Sequence, residues 1–98
     1  MTITKNVDGE KITLIPEGML DTAHAVTFEQ EVDKAAEETK DLTIDLSKIS
    51  YISSSGLRIL LKAQKKMRMK GKMQVKNIND NIKEVFEVTG FMDILTIV

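Results

Sequence analysis

Apolar residues change their spacing repeatedly along the 98 residues of this chain, from every second position to every third or fourth and back. No other feature narrows the fold as much, because period two belongs to a half-buried strand and a period near 3.6 to an amphipathic helix. Residues 2–7 alternate loosely, and Asp8-Gly9 is a hairpin dipeptide leading into Lys11-Ile-Thr-Leu-Ile15. Gly18 breaks that run, and Asp21 or Thr22 can cap a helix over about 22–38 carrying Ala25, Phe28, Val32, Ala35 and Ala36 on one stripe. Leu42, Ile44 and Leu46 alternate again, and residues 47–52 lead to Ser53-Ser54-Ser55-Gly56 and a second helix over about 55–70. Met73-Gln-Val75 reads as a strand, residues 79–89 as a third helix closed by Gly90, and Ile94–Val98 as a last strand.

The expected order is β-β-α-β-α-β-α-β. Alternating strands and helices predict an α/β fold: a mixed four- to five-stranded sheet, largely parallel with a hairpin at one edge, and helices packed on one face. Phe28, Val32, Leu60, Ile82 and Val85 are expected in its core. No linker, repeat or low-complexity tract divides the chain, so one domain over 1–98 is expected.

Composition removes several function classes. There is no cysteine, hence no disulfide or thiolate chemistry, and a single histidine, His24, argues against histidine relays and multi-histidine zinc sites. Four aromatic residues, Phe28, Tyr51, Phe86 and Phe91, are thin material for stacking nucleic-acid bases. No apolar run approaches the roughly 20 residues of a membrane span, and the first residues lack a signal-peptide core, so a cytoplasmic protein with no membrane partner is expected.

Net charge is only −1, but the charges are blocked: nine acids against two lysines from Glu17 to Asp45, then seven bases and no acid from Arg58 to Lys72. Two solvated helix faces of opposite sign account for this better than a nucleic-acid patch, since the chain is not basic overall and no aromatics interleave with the lysines. No direct nucleic-acid partner is expected, and with no exposed apolar repeat the free chain is expected to be a monomer.

Candidate chemistry is sparse. Neither Gly-x-Gly-x-x-Gly nor a phosphate-binding Gly-Lys-Ser/Thr loop occurs. Ser53-Ser54-Ser55-Gly56 falls where a nucleophile elbow would sit, yet Ile52 replaces the first glycine of the elbow pattern and His24 would have to be the base. Glu17, Asp21 and His24 as metal ligands carry little specificity, because carboxylates are common at helix starts. No enzyme, cofactor or metal is expected. What remains is three consecutive hydroxyls before an apolar-periodic helix, more than one N-cap needs and without the Glu or Gln of a capping box. A hydroxyl exposed at the positive end of a helix is a good place for a regulated phosphate.

Asp45-Leu-Ser followed by Ile52-Ser-Ser-Ser-Gly-Leu57 resembles the signature segment of STAS domains, among them the bacterial anti-sigma factor antagonists, or anti-anti-sigma factors. Gly18-Met-Leu-Asp21 is similar to the family's Gly-x-Leu-Asp element, and Asn77–Asp80 through Val88–Phe91 to its closing helix. The resemblance implies a phosphoprotein of transcription regulation that works by partner switching. Unphosphorylated at Ser54, it would bind an anti-sigma factor serine kinase and free a sigma factor; phosphorylated, it would let go, and a serine phosphatase would reset it. Gly18, Asp21, Ser53, Ser54, Ser55, Gly56 and Arg58 are the implied partner-binding residues. One departure stands out: the family often carries Asp just before the phosphorylated serine, where this chain has Ser53. The alternative implied by the same family is a non-catalytic STAS subunit of a lipid-transporting ABC complex with no phosphorylation cycle.

Overall fold

The computed structural model describes all residues Met1–Val98. Thr2–Asp8 (β1) and Lys11–Leu20 (β2) form the expected hairpin, antiparallel from Thr2↔Glu17 to Asp8↔Lys11. The ten-residue β2 then organises the sheet by offering its other edge to two further strands. Its first half pairs in parallel with Asp41–Asp45 (β3), and its end with Ile49–Ile52 (β4). Lys72–Lys76 (β5) lies parallel to β3, giving the order β1-β2-β3-β5 with β4 beside the end of β2. The register shifts between Gly18 and Met19, and Gly18 takes φ +108°, a backbone state that side chains with a Cβ disfavour. This bulge lets one strand serve β3 and then β4.

Thr22–Glu38 (α1) and Ser54–Arg68 (α2) lie side by side over the sheet, followed by Asp80–Thr89 (α3) and the single turn Phe91–Ile94 (α4). Their stripes close on Ile12, Leu14, Leu42, Ile44, Met73 and Val75 in one cluster of 22 buried apolar residues. Phe28, Val32, Leu60 and Ile82 are buried as expected, while Val85 is only partly so, because it lies at the edge of α3 toward solvent. The opposite sheet face carries the polar row Asn6, Thr13, Thr43 and Gln74 in register across four strands, with the Gln74 amide donating to Thr43 Oγ1 at 3.2 Å.

The sheet has five strands, but the fifth is not where the sequence pattern placed it. Residues 49–52, which the sequence pattern assigns to a connector, form β4, and Ile94–Val98 is not a strand. Gly90 ends α3 in a left-handed conformation, and the next four residues turn once more as α4. The turn takes up the first residues of that run, and the rest make no ladder. Ile97 makes one isolated bridge to Val75, with the Val75 amide donating to the Thr96 carbonyl and the Val98 amide to the Val75 carbonyl.

The charge blocks have a direct explanation in the packing of α1 on α2. Lys62 lies 3.6 Å from Glu29 and Lys66 3.9 Å from Glu37, while Lys70 donates to carbonyls at the end of α1. Lys72 faces Asp41 at 3.8 Å. Part of each block therefore meets across one helix–helix boundary.

Candidate functional site

The parallel pairing of β2 with β4 brings the ends of both strands to one edge of the sheet, and each is followed at once by a helix. Leu20 pairs with Ile52, and the Ser53 amide donates to the Leu20 carbonyl at 2.8 Å. The N-termini of α1 and α2 are thereby held next to each other, and Thr22 Oγ1 and Ser55 Oγ lie 3.4 Å apart across the gap. Of the residues singled out from sequence, Asp21, Ser53, Ser54 and Ser55 converge here. Gly18 lies further back at the bulge, where its carbonyl accepts from the Ser50 hydroxyl at 3.3 Å.

The two helix starts are finished differently. Asp21 caps α1, accepting from the His24 amide at 3.0 Å, and its Oδ1 also lies 2.7 Å from His24 Nδ1. Partial burial pushes the Asp21 carboxyl up, but hydrogen bonds from the His24 amide and ring, with the ring's positive charge, outweigh it and hold its pKa below the ordinary aspartate value. On α2 the N-cap is Ser53, yet its side chain makes no capping bond; its hydroxyl is buried without a partner. Its carbonyl accepts from the Leu57 amide at 3.0 Å, and the amides before that one have no side-chain cap. Ser55 lies inside the first turn and does not cap. Ser54 is the first helical residue, exposed and free of structural duty.

Gly56 is buried, so it cannot itself touch a partner. A Cβ on it would lie 2.8 Å from Ile52 Cγ1 and 3.1 Å from Leu20 Cβ. Its role is close approach: the first turn of α2 sits directly on the ends of β2 and β4. Asp45 of the same signature is also structural. Its Oδ1 accepts from the Ser47 amide at 2.9 Å and the Asn77 side-chain amide at 3.1 Å, tying the β3–β4 turn to the loop after β5. Burial pushes this carboxyl up, and the bonds from Ser47 and Asn77 with the nearby Lys76 charge carry its pKa below the ordinary value.

The alternatives weighed for His24 do not assemble. Its ring bonds Asp21 and none of the three serines, so the pair is not extended to a nucleophile. Glu17 is engaged by Lys48 at 3.0 Å, and no three histidine or carboxylate side chains are arranged to hold a metal ion. No helix is long and apolar enough to cross a membrane.

Two residues at this edge escaped the sequence reading. Met19 and Tyr51 are register partners on β2 and β4, 47% and 53% exposed, and Tyr51 lines a shallow cleft with Ile82 and Val85 of α3. Each precedes an inward-pointing neighbour, Leu20 or Ile52, and so faces out once the two strands are paired.

A bulged central strand, a mixed sheet with its helices, and a serine-bearing helix start without a side-chain cap together make up this edge. Residues 2–98 match the STAS domain family, and the chain belongs to it. The anti-sigma-B factor antagonist of Listeria monocytogenes is 32% identical over 96 residues, which cover 95% of this chain and 83% of that protein. An anti-sigma factor antagonist from Mycobacterium paratuberculosis has the same fold at TM-score 0.89 and 22% identity, over 98% of this chain and 83% of that one. SpoIIAA of Bacillus is similar in its unphosphorylated form, with TM-score 0.82, 16% identity and 99% and 88% coverage. Its phosphorylated form gives 0.76, 16%, and 99% and 91%.

Proposed function

We propose that this chain is an anti-sigma factor antagonist whose binding is switched at Ser54. One observation carries the reading: α2 is the one long helix whose start has no side-chain cap, and its first residue is an exposed serine with no other task. The names of its curated relatives and the existence of SpoIIAA in two phosphorylation states support it.

Unphosphorylated, the edge formed by Asp21, Ser53–Ser55 and Arg58, with Met19 and Tyr51 beside it, docks onto an anti-sigma factor serine kinase, which then gives up its sigma factor. The Ser54 hydroxyl attacks the γ-phosphorus of ATP, forming a phosphoester and releasing ADP and the hydroxyl proton. The free amides at the start of α2 tolerate the new charge within this chain. A partner surface fitted to a neutral hydroxyl does not, and burying the phosphate unpaired would lower affinity by roughly two to four orders of magnitude. A serine phosphatase restores the hydroxyl, and the cycle is placed in the cytoplasm.

Isothermal titration against the cognate kinase with ATP present tests this. Ser54→Ala should bind and resist release, while Ser54→Glu should bind poorly. If Ser54→Ala and the parent behave alike and no phosphate appears on Ser53, Ser54 or Ser55, the switch is wrong, and the transport-subunit reading takes its place.

A further inference from the structure

Most cations of α2 already have partners. Lys62 and Lys66 face acids of α1, Arg68 donates to the Ile94 carbonyl, and Lys70 just past the helix donates to α1 carbonyls. Lys65 and Arg58 make no ion pair or hydrogen bond. Lys65 stands in the last turn of the helix, whereas Arg58 is exposed near its start and lines the groove between the two helix starts with Thr22 and Ser55. It also stands four residues after Ser54 on one continuous helix, the spacing that stacks two side chains on the same face. An anion N-terminal to a cation at this spacing is the favourable orientation. The remaining charged groups nearby are engaged: Asp21 with His24, and Glu29 with Lys62.

Resting on the reading of Ser54 as the phosphate acceptor, we infer that Arg58 is the internal counter-ion of phosphorylated Ser54, a positioning residue that folds back along α2 to pair with the phosphate in cis. The guanidinium presents two parallel N–H donors that match two phosphate oxygens, which a lysine at the same place cannot do. Modification then changes the docking edge twice. It adds negative charge at Ser54 and draws an exposed cation away from any partner it would otherwise meet.

The test installs phosphoserine at position 54 by genetic encoding, so that no kinase is needed, and follows the phosphate by phosphorus NMR as pH is varied at low salt. Pairing with Arg58 favours the dianion. Arg58→Gln should therefore raise the second phosphate pKa by about 0.2 to 0.4 of a unit, and Arg58→Lys should restore part of the difference. Lys62→Gln, one turn further along, should leave the titration nearly unchanged. Identical titrations for the parent and Arg58→Gln, or an equal shift from Lys62→Gln, would overturn the pairing. Because the phosphate is installed directly, such a result speaks against Arg58 alone. Failure of the switch itself would show in the kinase titration. Amide spectra of the unphosphorylated variants report whether α2 keeps its start.

Discussion

Three neighbouring serines have three different fates, and the differences are measurable one residue at a time. Ser53 buries its hydroxyl without a partner, so Ser53→Ala removes a desolvated group rather than a bond. Its stability in denaturant should stay within about 0.5 kcal/mol of the parent or rise; a loss above about 1 kcal/mol would show that the hydroxyl caps α2 after all. Carboxylates set the acid response. Asp21 and Asp45 have pKa values below the ordinary range for the reasons given above, and Glu38 likewise, chiefly through its hydrogen bond from Lys5. A depressed folded pKa stabilises fully above the unfolded value of about 4 and loses that contribution as pH falls through the folded one. Thermal unfolding should therefore show stability declining below about pH 4, and Asp45→Asn should flatten that decline while lowering stability at neutral pH.

Among the elements, α2 is placed by Gly56 more than by any cap. Gly56→Ala gains helix propensity of about 1 kcal/mol but drives a methyl group into Ile52 and Leu20. A net loss of up to about 2 kcal/mol in chemical denaturation is expected, with amide shifts concentrated at Ser53–Ser55. The regular elements were legible in the sequence wherever a long apolar period existed, as in α1, α2 and β3. Two short segments defeated it. Ile49–Ile52 has two buried ends and two exposed middle residues, a pattern without alternation, and it is a strand because β2 bulges at Gly18 to meet it. Ile94–Val98 reads as a strand by composition, yet Gly90 and the turn of α4 leave it one bridge. At the site, the serine run and Asp21 were visible because they follow strand ends. Met19 and Tyr51 were not, because each is an ordinary strand residue until β4 is known to pair with β2.

Across the whole molecule part of the basic block is met by α1, where Lys62 faces Glu29 and Lys66 faces Glu37, and the net charge is only −1, which does not favour a polyanion. In titrations with duplex DNA or single-stranded RNA over a range of salt, no affinity with a slope of several released counterions should appear; such a slope would mean that the pairing of Lys62 and Lys66 with α1 is easily surrendered. The pairing of β2 with β4 has a further reach. Bonds around the serine edge join residues far apart in the chain: Thr22 meets Ser55 at a separation of 33, Ser50 meets Gly18 at 32, and Lys48 meets Glu17 at 31. No local segment can preform this edge, and loop-closure entropy must be overcome before any of it exists. If Ser54 is the acceptor, as proposed above, the helix start that presents it would form only late in folding. A nascent or partly unfolded chain has the hydroxyl but not the helix start that presents it, so an enzyme reading that start would ignore immature molecules. Hydrogen exchange at the Ser53 amide should accordingly be as slow as global unfolding, not as fast as a fraying helix end.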